Sequence, residues 1–186
     1  TCHKPHFAKE DAKILVLRNP QSQLCQACHA DQRKVANSKH NMVLLDESDK
    51  NVRGQEVGQA GVCSACHLPH GGQGPKMWAR PIPAEGDPMA NLCLSCHRDG
   101  GLAKKKQVGA YTHPVGRDMS RLKGPVKLPG FSREGVKSTG TEQGRVTCAS
   151  CHDTHQWDPV NPEKTSKPGD PSDAGNKFLR KSDDLE

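Results

Sequence analysis

Residues Cys63-Ser64-Ala65-Cys66-His67-Leu68-Pro69-His70 decide how the rest of the chain is read. Two thiols three positions apart, with a histidine directly after the second, form the attachment pattern of c-type haem. The thiols bond the vinyl groups and the histidine takes one axial place on iron. On a helical turn, residues three apart face the same way, so both sulfurs reach one porphyrin edge and the next residue brings its imidazole to the metal. His70 lies three residues past His67, on roughly the same side of the backbone. The two axial ligands of one iron approach from opposite faces of the ring, so His70 is expected to serve a neighbouring haem.

The pattern recurs at Cys25-Gln26-Ala27-Cys28-His29, Cys93-Leu94-Ser95-Cys96-His97 and Cys148-Ala149-Ser150-Cys151-His152. Cys2-His3-Lys4-Pro5-His6 reads as the second half of a fifth copy, with its first cysteine expected just upstream of Thr1, the alternative being a degenerate site with a single cysteine. The copies are ordered as an internal repeat in which Cys2, Cys66 and Cys151 are equivalent, 64 and 85 residues apart. A full unit holds two haem motifs and one lone histidine, His40 in the first unit and His113 in the second. The units are residues 1–62, 63–147 and 148–186, the first starting inside a motif and the last stopping before its second motif. They are expected to form one continuous haem-packed module. The uneven period assigns the insertions to loops, the longest from Leu122 to Arg145, with a hairpin expected around Ser138-Thr139-Gly140. Ile14-Leu15-Val16-Leu17 is a short apolar piece, helical or extended.

The ten histidines divide evenly. His3, His29, His67, His97 and His152 each follow a cysteine; His6, His40, His70, His113 and His155 do not. His6, His70 and His155 share one position of the repeat and His40 and His113 another, so all five read as sixth ligands to iron. Met42, Met77, Met89 and Met119 share no repeat position and are weaker candidates. Trp78 and Trp157 are expected to pack on haem edges rather than relay electrons.

Paired cysteines also build zinc ribbons, and histidine is a zinc ligand. With histidine at 10 of 186 residues, its chance occurrence directly after all four complete pairs is on the order of one in 10⁵ for the haem pattern at issue. Gaps of 34, 26 and 51 residues between the pairs also suit a zinc ribbon poorly. Thiol–disulfide exchange would not need the histidines. Of nine cysteines, eight lie in complete motifs, so a disulfide framework is not expected.

Composition agrees with a chain built around cofactors. Hydrophobic residues are 32% and aromatics 3%, too little for an ordinary core, while Gly 18 and Pro 14 favour loops over long elements. Large apolar haems would supply the missing buried surface, and their binding energy would then be folding energy. The formal charge of +6 points to acidic partners. Four haems with two propionates each change it by −8, to about −2, so neither a nucleic acid nor an anionic membrane is implied. Lys104-Lys105-Lys106 reads as a solvated surface run. No run approaches the roughly 18 apolar residues of a membrane span.

Taken together, Cys63–His70, Leu92–His97 and Thr112-His113-Pro114-Val115-Gly116 resemble the multihaem c-type cytochromes with a doubled Cys-x-x-Cys-His motif. The resemblance implies a loop-rich fold with few short α-helices and little β structure, organised around a chain of stacked haems. It implies four haem c groups, with a fifth if the motif at Cys2 is complete. It also implies electron transfer through closely spaced bis-histidine haems in anaerobic or extracellular respiration, with irons bound through His67 and His70 on the order of 10 Å apart given their spacing in the chain. Haem attachment outside the cytoplasm implies an exported protein, periplasmic or at the cell surface. The expected partners are other redox proteins or further cytochrome subunits, including a head-to-tail homopolymer. The rival expectation is a multihaem nitrite or hydroxylamine enzyme with one open haem. Such sites often use lysine in place of the motif histidine, and none of the four complete motifs here ends in lysine.

Overall fold

With proline and glycine spread along the chain, helices start often and stop early. The computed structural model describes residues 2–4, 6, 14–108, 115–121, 128–138 and 144–155. Its α-helices are α1 (Gln23–Cys28), α2 (Met42–Leu45), α3 (Val57–Ala60), α4 (Pro88–Leu94) and α5 (Cys148–Cys151). Short 3₁₀ turns stand between them, the longest Ala30–Asn37. Among the described residues β structure is limited to isolated bridges. The loop-rich, few-helix architecture expected from composition is therefore what the chain adopts.

The starts of these helices are written locally. Asp87 accepts hydrogen bonds from the Met89 and Ala90 amides and Pro88 occupies the first turn of α4, where a missing N–H costs nothing. At the start of α5, Ser150 Oγ accepts the Thr147 amide at 3.0 Å and Ser150 N–H donates to Thr147 O at 3.0 Å. Asn41 caps α2 through the Val43 amide. Leu15 is bridged to His3, with Lys4 N–H donating to Ile14 O at 2.8 Å and Val16 N–H to Cys2 O at 3.0 Å, while Ile14 itself has a left-handed φ of 50°. In the long insertion, a turn at Ser132–Val136 is described, with Phe131 bridged to Lys137 and Arg145. Thr139 and Gly140 of the expected hairpin lie outside the described residues.

Two small apolar clusters are present among the described residues. Met42, Val57 and Ala65 pack against Cys66, and Met89, Leu92 and Phe131 pack with Trp78, Ile82 and Ala149. Each borders a cysteine motif. The first is locked to α1 by a close approach: Gly61 has φ +85°, and a Cβ there would stand 2.6 Å from Ser22 Oγ. That hydroxyl, fully buried, accepts the Cys63 amide at 3.0 Å. The clamp sets the Cys25 motif beside the Cys63 motif. Its counterpart is the contact between α4 and α5, which sets Cys93 beside Cys148. Among the described residues no helix is long and apolar enough to cross a membrane.

Candidate haem sites

Each complete motif is one helical turn. The histidine amide donates to the carbonyl of the first cysteine at 2.9 Å in Cys25–His29, 2.8 Å in Cys63–His67, 2.9 Å in Cys93–His97 and 2.9 Å in Cys148–His152. This i to i+4 closure puts both thiols of a pair on one side of the turn, as the spacing requires. The turn ends at the histidine, whose backbone leaves helical geometry at His29 and His152.

Beyond the turn, hydrogen bonds orient two motif imidazoles. His67 Nδ1 lies 2.7 Å from Lys76 O and His97 Nδ1 lies 2.9 Å from Lys106 O, each nine residues downstream. A carbonyl only accepts, so Nδ1 carries the proton and Nε2 keeps its lone pair for a metal. Among the non-motif histidines, His155 Nδ1 faces Asp153 Oδ1 at 3.3 Å, which favours the same tautomer. These orienting partners escaped the sequence reading. Main-chain carbonyls leave no residue signature, whereas the Asp153-Thr154-His155 spacing was a readable signal.

The histidines then meet in pairs. Ring centroids stand 5.9 Å apart for His3 and His70, 6.1 Å for His40 and His97, and 6.2 Å for His67 and His155. Each pair joins one histidine that follows a cysteine to one that does not. Two imidazoles bound to opposite faces of one metal, at about 2 Å each, have centroids roughly 6 Å apart. The donor sets therefore suit a six-coordinate iron. His67 and His70 go to different partners, although Leu68 to His70 leave the helical turn and a shared helical face is not what aims them. Of the remaining candidates, His6 and His29 are exposed and His152 is half-buried. His113 and Trp157 lie outside the described residues.

Electrostatics agree. Burial, helped by the nearby His97 and His155, pushes His40 down to about 4, and burial lowers His67 as well. Both rings are thus neutral at pH 7 and able to ligate. Thiol contacts link motifs: hydrogen bonding to Cys25 lowers Cys63 to about 7, and hydrogen bonding to Cys93 lowers Cys148 to about 7. Burial pushes the Cys66 thiol up to about 11. Trp78 stands edge-on to His67 at 5.6 Å, and its indole N–H donates to Ser95 Oγ at 3.2 Å, bridging two motifs.

Beside Cys96 the chain leaves a cavity of about 510 Å³ lined by Lys50, Arg80, Arg98 and Lys104, with Asp49 as its only carboxylate. Arg80 is buried, donates through Nε to Ala65 O at 2.9 Å and through Nη1 to Asp49. Its Nη2 makes no hydrogen bond within the protein. A buried guanidinium nitrogen with no acceptor is costly, and a carboxylate on a bound group would satisfy it. Among the described residues no three His, Cys, Asp or Glu side chains converge as a metal cluster, so the cysteine pairs are not gathered as zinc sites.

Comparison with curated proteins and with solved structures gave no match. The third motif-bearing copy, from Cys148, lies outside the stretches matched by a known family. Residues 1–34 and 56–102 match the family model described as the doubled CXXCH motif; motifs of this kind imply covalently bound haem c, consistent with a multihaem c-type cytochrome.

Proposed function

We propose that this chain transfers electrons along a series of covalently held haems whose irons are closed by histidine on both faces. Bound haem supplies the one-electron iron couple, at a potential set by its ligands and surroundings. The protein's part is to hold and tune. Cys25/Cys28, Cys63/Cys66, Cys93/Cys96 and Cys148/Cys151 give the four attachment pairs, and Cys2 would contribute to a fifth if its motif is complete. Lys76 O and Lys106 O fix the ring orientation of His67 and His97. Arg80 holds a carboxylate edge in its cavity, and exposed apolar residues such as Leu44 and Leu45 give surface for a porphyrin to cover.

The observation that carries this reading is the histidine pairing. Three non-motif histidines each stand opposite a motif histidine, so three irons would have no open face for a substrate. That favours electron carriage over catalysis. The assignment of export to the periplasm or cell surface, and of redox proteins or further cytochrome units as partners, follows from the attachment chemistry. Absorption and electron paramagnetic resonance spectra of the haem-loaded protein test the reading. Low-spin iron in both redox states, with slow carbon monoxide binding, is expected; a rapidly ligand-binding, high-spin majority would sink it in favour of the enzyme.

A further inference from the structure

The three histidine pairs have a feature beyond their spacing. His3 belongs to the first repeat and His70 to the second; His67 to the second and His155 to the third; His40 to the first and His97 to the second. All three cross from one repeat to another. Two of them are the same relation used twice, because His70 and His155 each lie three residues past a motif histidine and each reaches back to the preceding first-position motif. His40 reaches the other way, forward to the second-position motif of the next repeat. The thiol contacts keep the same period: Cys25 meets Cys63 and Cys93 meets Cys148, in each case the second-position motif of one repeat against the first-position motif of the next.

We propose that the repeats are cross-ligated: each supplies the second axial histidine to irons held by its neighbours and not to its own. This rests on the bis-histidine reading above and adds which residue serves which iron. His70 closes the iron held by His3, His155 the iron held by His67, and His40 the iron held by His97. The irons at Cys2, Cys63/Cys66 and Cys148/Cys151 thereby form one file. Along it, the ligand pair His67 and His70 joins the first two members through three residues of backbone, and His152 and His155 join the next two. An electron moving between repeats then passes ligands of one short segment at each step. None of these three irons is closed from within its own repeat, so the ligand bonds also hold the repeats together.

The test localises the iron that each histidine closes. In the full haem-loaded chain, His155→Ala and His40→Ala should each raise carbon monoxide binding by one haem equivalent over the unmutated protein. Brief peroxide treatment bleaches an open haem faster than a closed one, and haem-peptide mass mapping then reads which was lost. The expected losses are the Cys63–His67 peptide in His155→Ala and the Cys93–His97 peptide in His40→Ala. Loss of Cys148–His152 or Cys25–His29 instead would mean that each repeat ligates its own irons and would overturn the proposal. Should the alanine variants fold poorly, His155→Met and His40→Met retain a sixth ligand. They should raise one haem potential and add a thioether–iron band assigned to the same two motifs; a change at the neighbouring motif overturns the proposal equally. Intact mass of the unmutated protein separates the layers. Absent covalent haem removes the functional reading and this one together, whereas haem present with own-repeat opening removes only cross-ligation.

Discussion

The motifs at Cys63 and Cys93 place the same hydrogen bond on the same atom by different backbones. At His67 the accepting carbonyl is that of Lys76, which together with Met77 adopts left-handed φ of 64° and 53°. At His97 it belongs to Lys106, in the 3₁₀ turn Lys104–Lys106. What is held constant is the acceptor at Nδ1, not the segment that brings it. The surroundings differ too. The Cys63 motif is tied to α1 through Ser22 and Gly61, to Trp78, and to His155. The Cys93 motif ends in an exposed loop in which Gly100, φ +69°, has nothing within 4 Å of a built Cβ. Both motifs join distant segments, the Cys63 motif through Cys25 and His155 and the Cys93 motif through Cys148 and His40, but the second runs on into an open, exposed loop.

The largest expected effect is on attachment. Cys63→Ala with Cys66→Ala should destabilise the whole protein by about 3–5 kcal/mol, the scale of removing a large buried group. Cys93→Ala with Cys96→Ala, in the motif joined to Cys148 and His40, should cost a similar amount. Thermal unfolding followed by circular dichroism measures both, and a much smaller loss at either motif would contradict its role as a junction.

Acid should weaken both regions in one direction. His40 is held at about 4 against an ordinary 6.5, and His67 is also lowered, so between these values the unfolded chain binds more protons than the folded one. The stabilisation is complete above pH 6.5 and is lost as pH falls through the window toward 4. Denaturant midpoints taken from pH 7 to pH 4 should fall steadily; a flat profile would mean that these rings are exposed or already charged.

Much of the local site was legible because haem attachment is local chemistry. Two cysteines and a histidine on one turn determine their own geometry, and all four histidine amides close on the first cysteine as the spacing required. The pairing partners were not legible. His67 and His155 are 88 residues apart and His40 and His97 are 57, and nothing in a lone histidine's neighbours names its distant opposite. Arg80 was invisible for another reason: one arginine among 27 basic residues stands out only once burial and an unmet donor single it out. Lys104-Lys105-Lys106 has the composition of a solvated run, and its side chains are exposed. Its carbonyl at Lys106 still orients His97, a role that no side-chain pattern encodes. Of the fold, the loop-rich class followed from glycine, proline and sparse apolar residues, whereas the Ser22–Gly61 clamp needed the close approach to be seen.

Smaller effects sharpen the comparison. Gly61→Ala should cost about 1–3 kcal/mol through left-handed strain, added to the collision with Ser22. Gly100→Ala, with open space around it, should cost only about 1 kcal/mol; chemical denaturation that ranks them the other way contradicts the clamp. Trp78→Leu removes the hydrogen bond to Ser95, worth about 1 kcal/mol, and the edge contact with His67. Its signature should be a shifted potential at the Cys63/Cys66 haem with the Cys93/Cys96 haem nearly unmoved, resolved by redox titration.

The most direct measurement of the central claim is intact mass under denaturing conditions, which survives only for covalent bonds. The account predicts the polypeptide plus at least four haem increments, one for each of Cys25/Cys28, Cys63/Cys66, Cys93/Cys96 and Cys148/Cys151. A mass carrying fewer than four, with the thiols instead free, disulfide-bonded or zinc-bound, would contradict it.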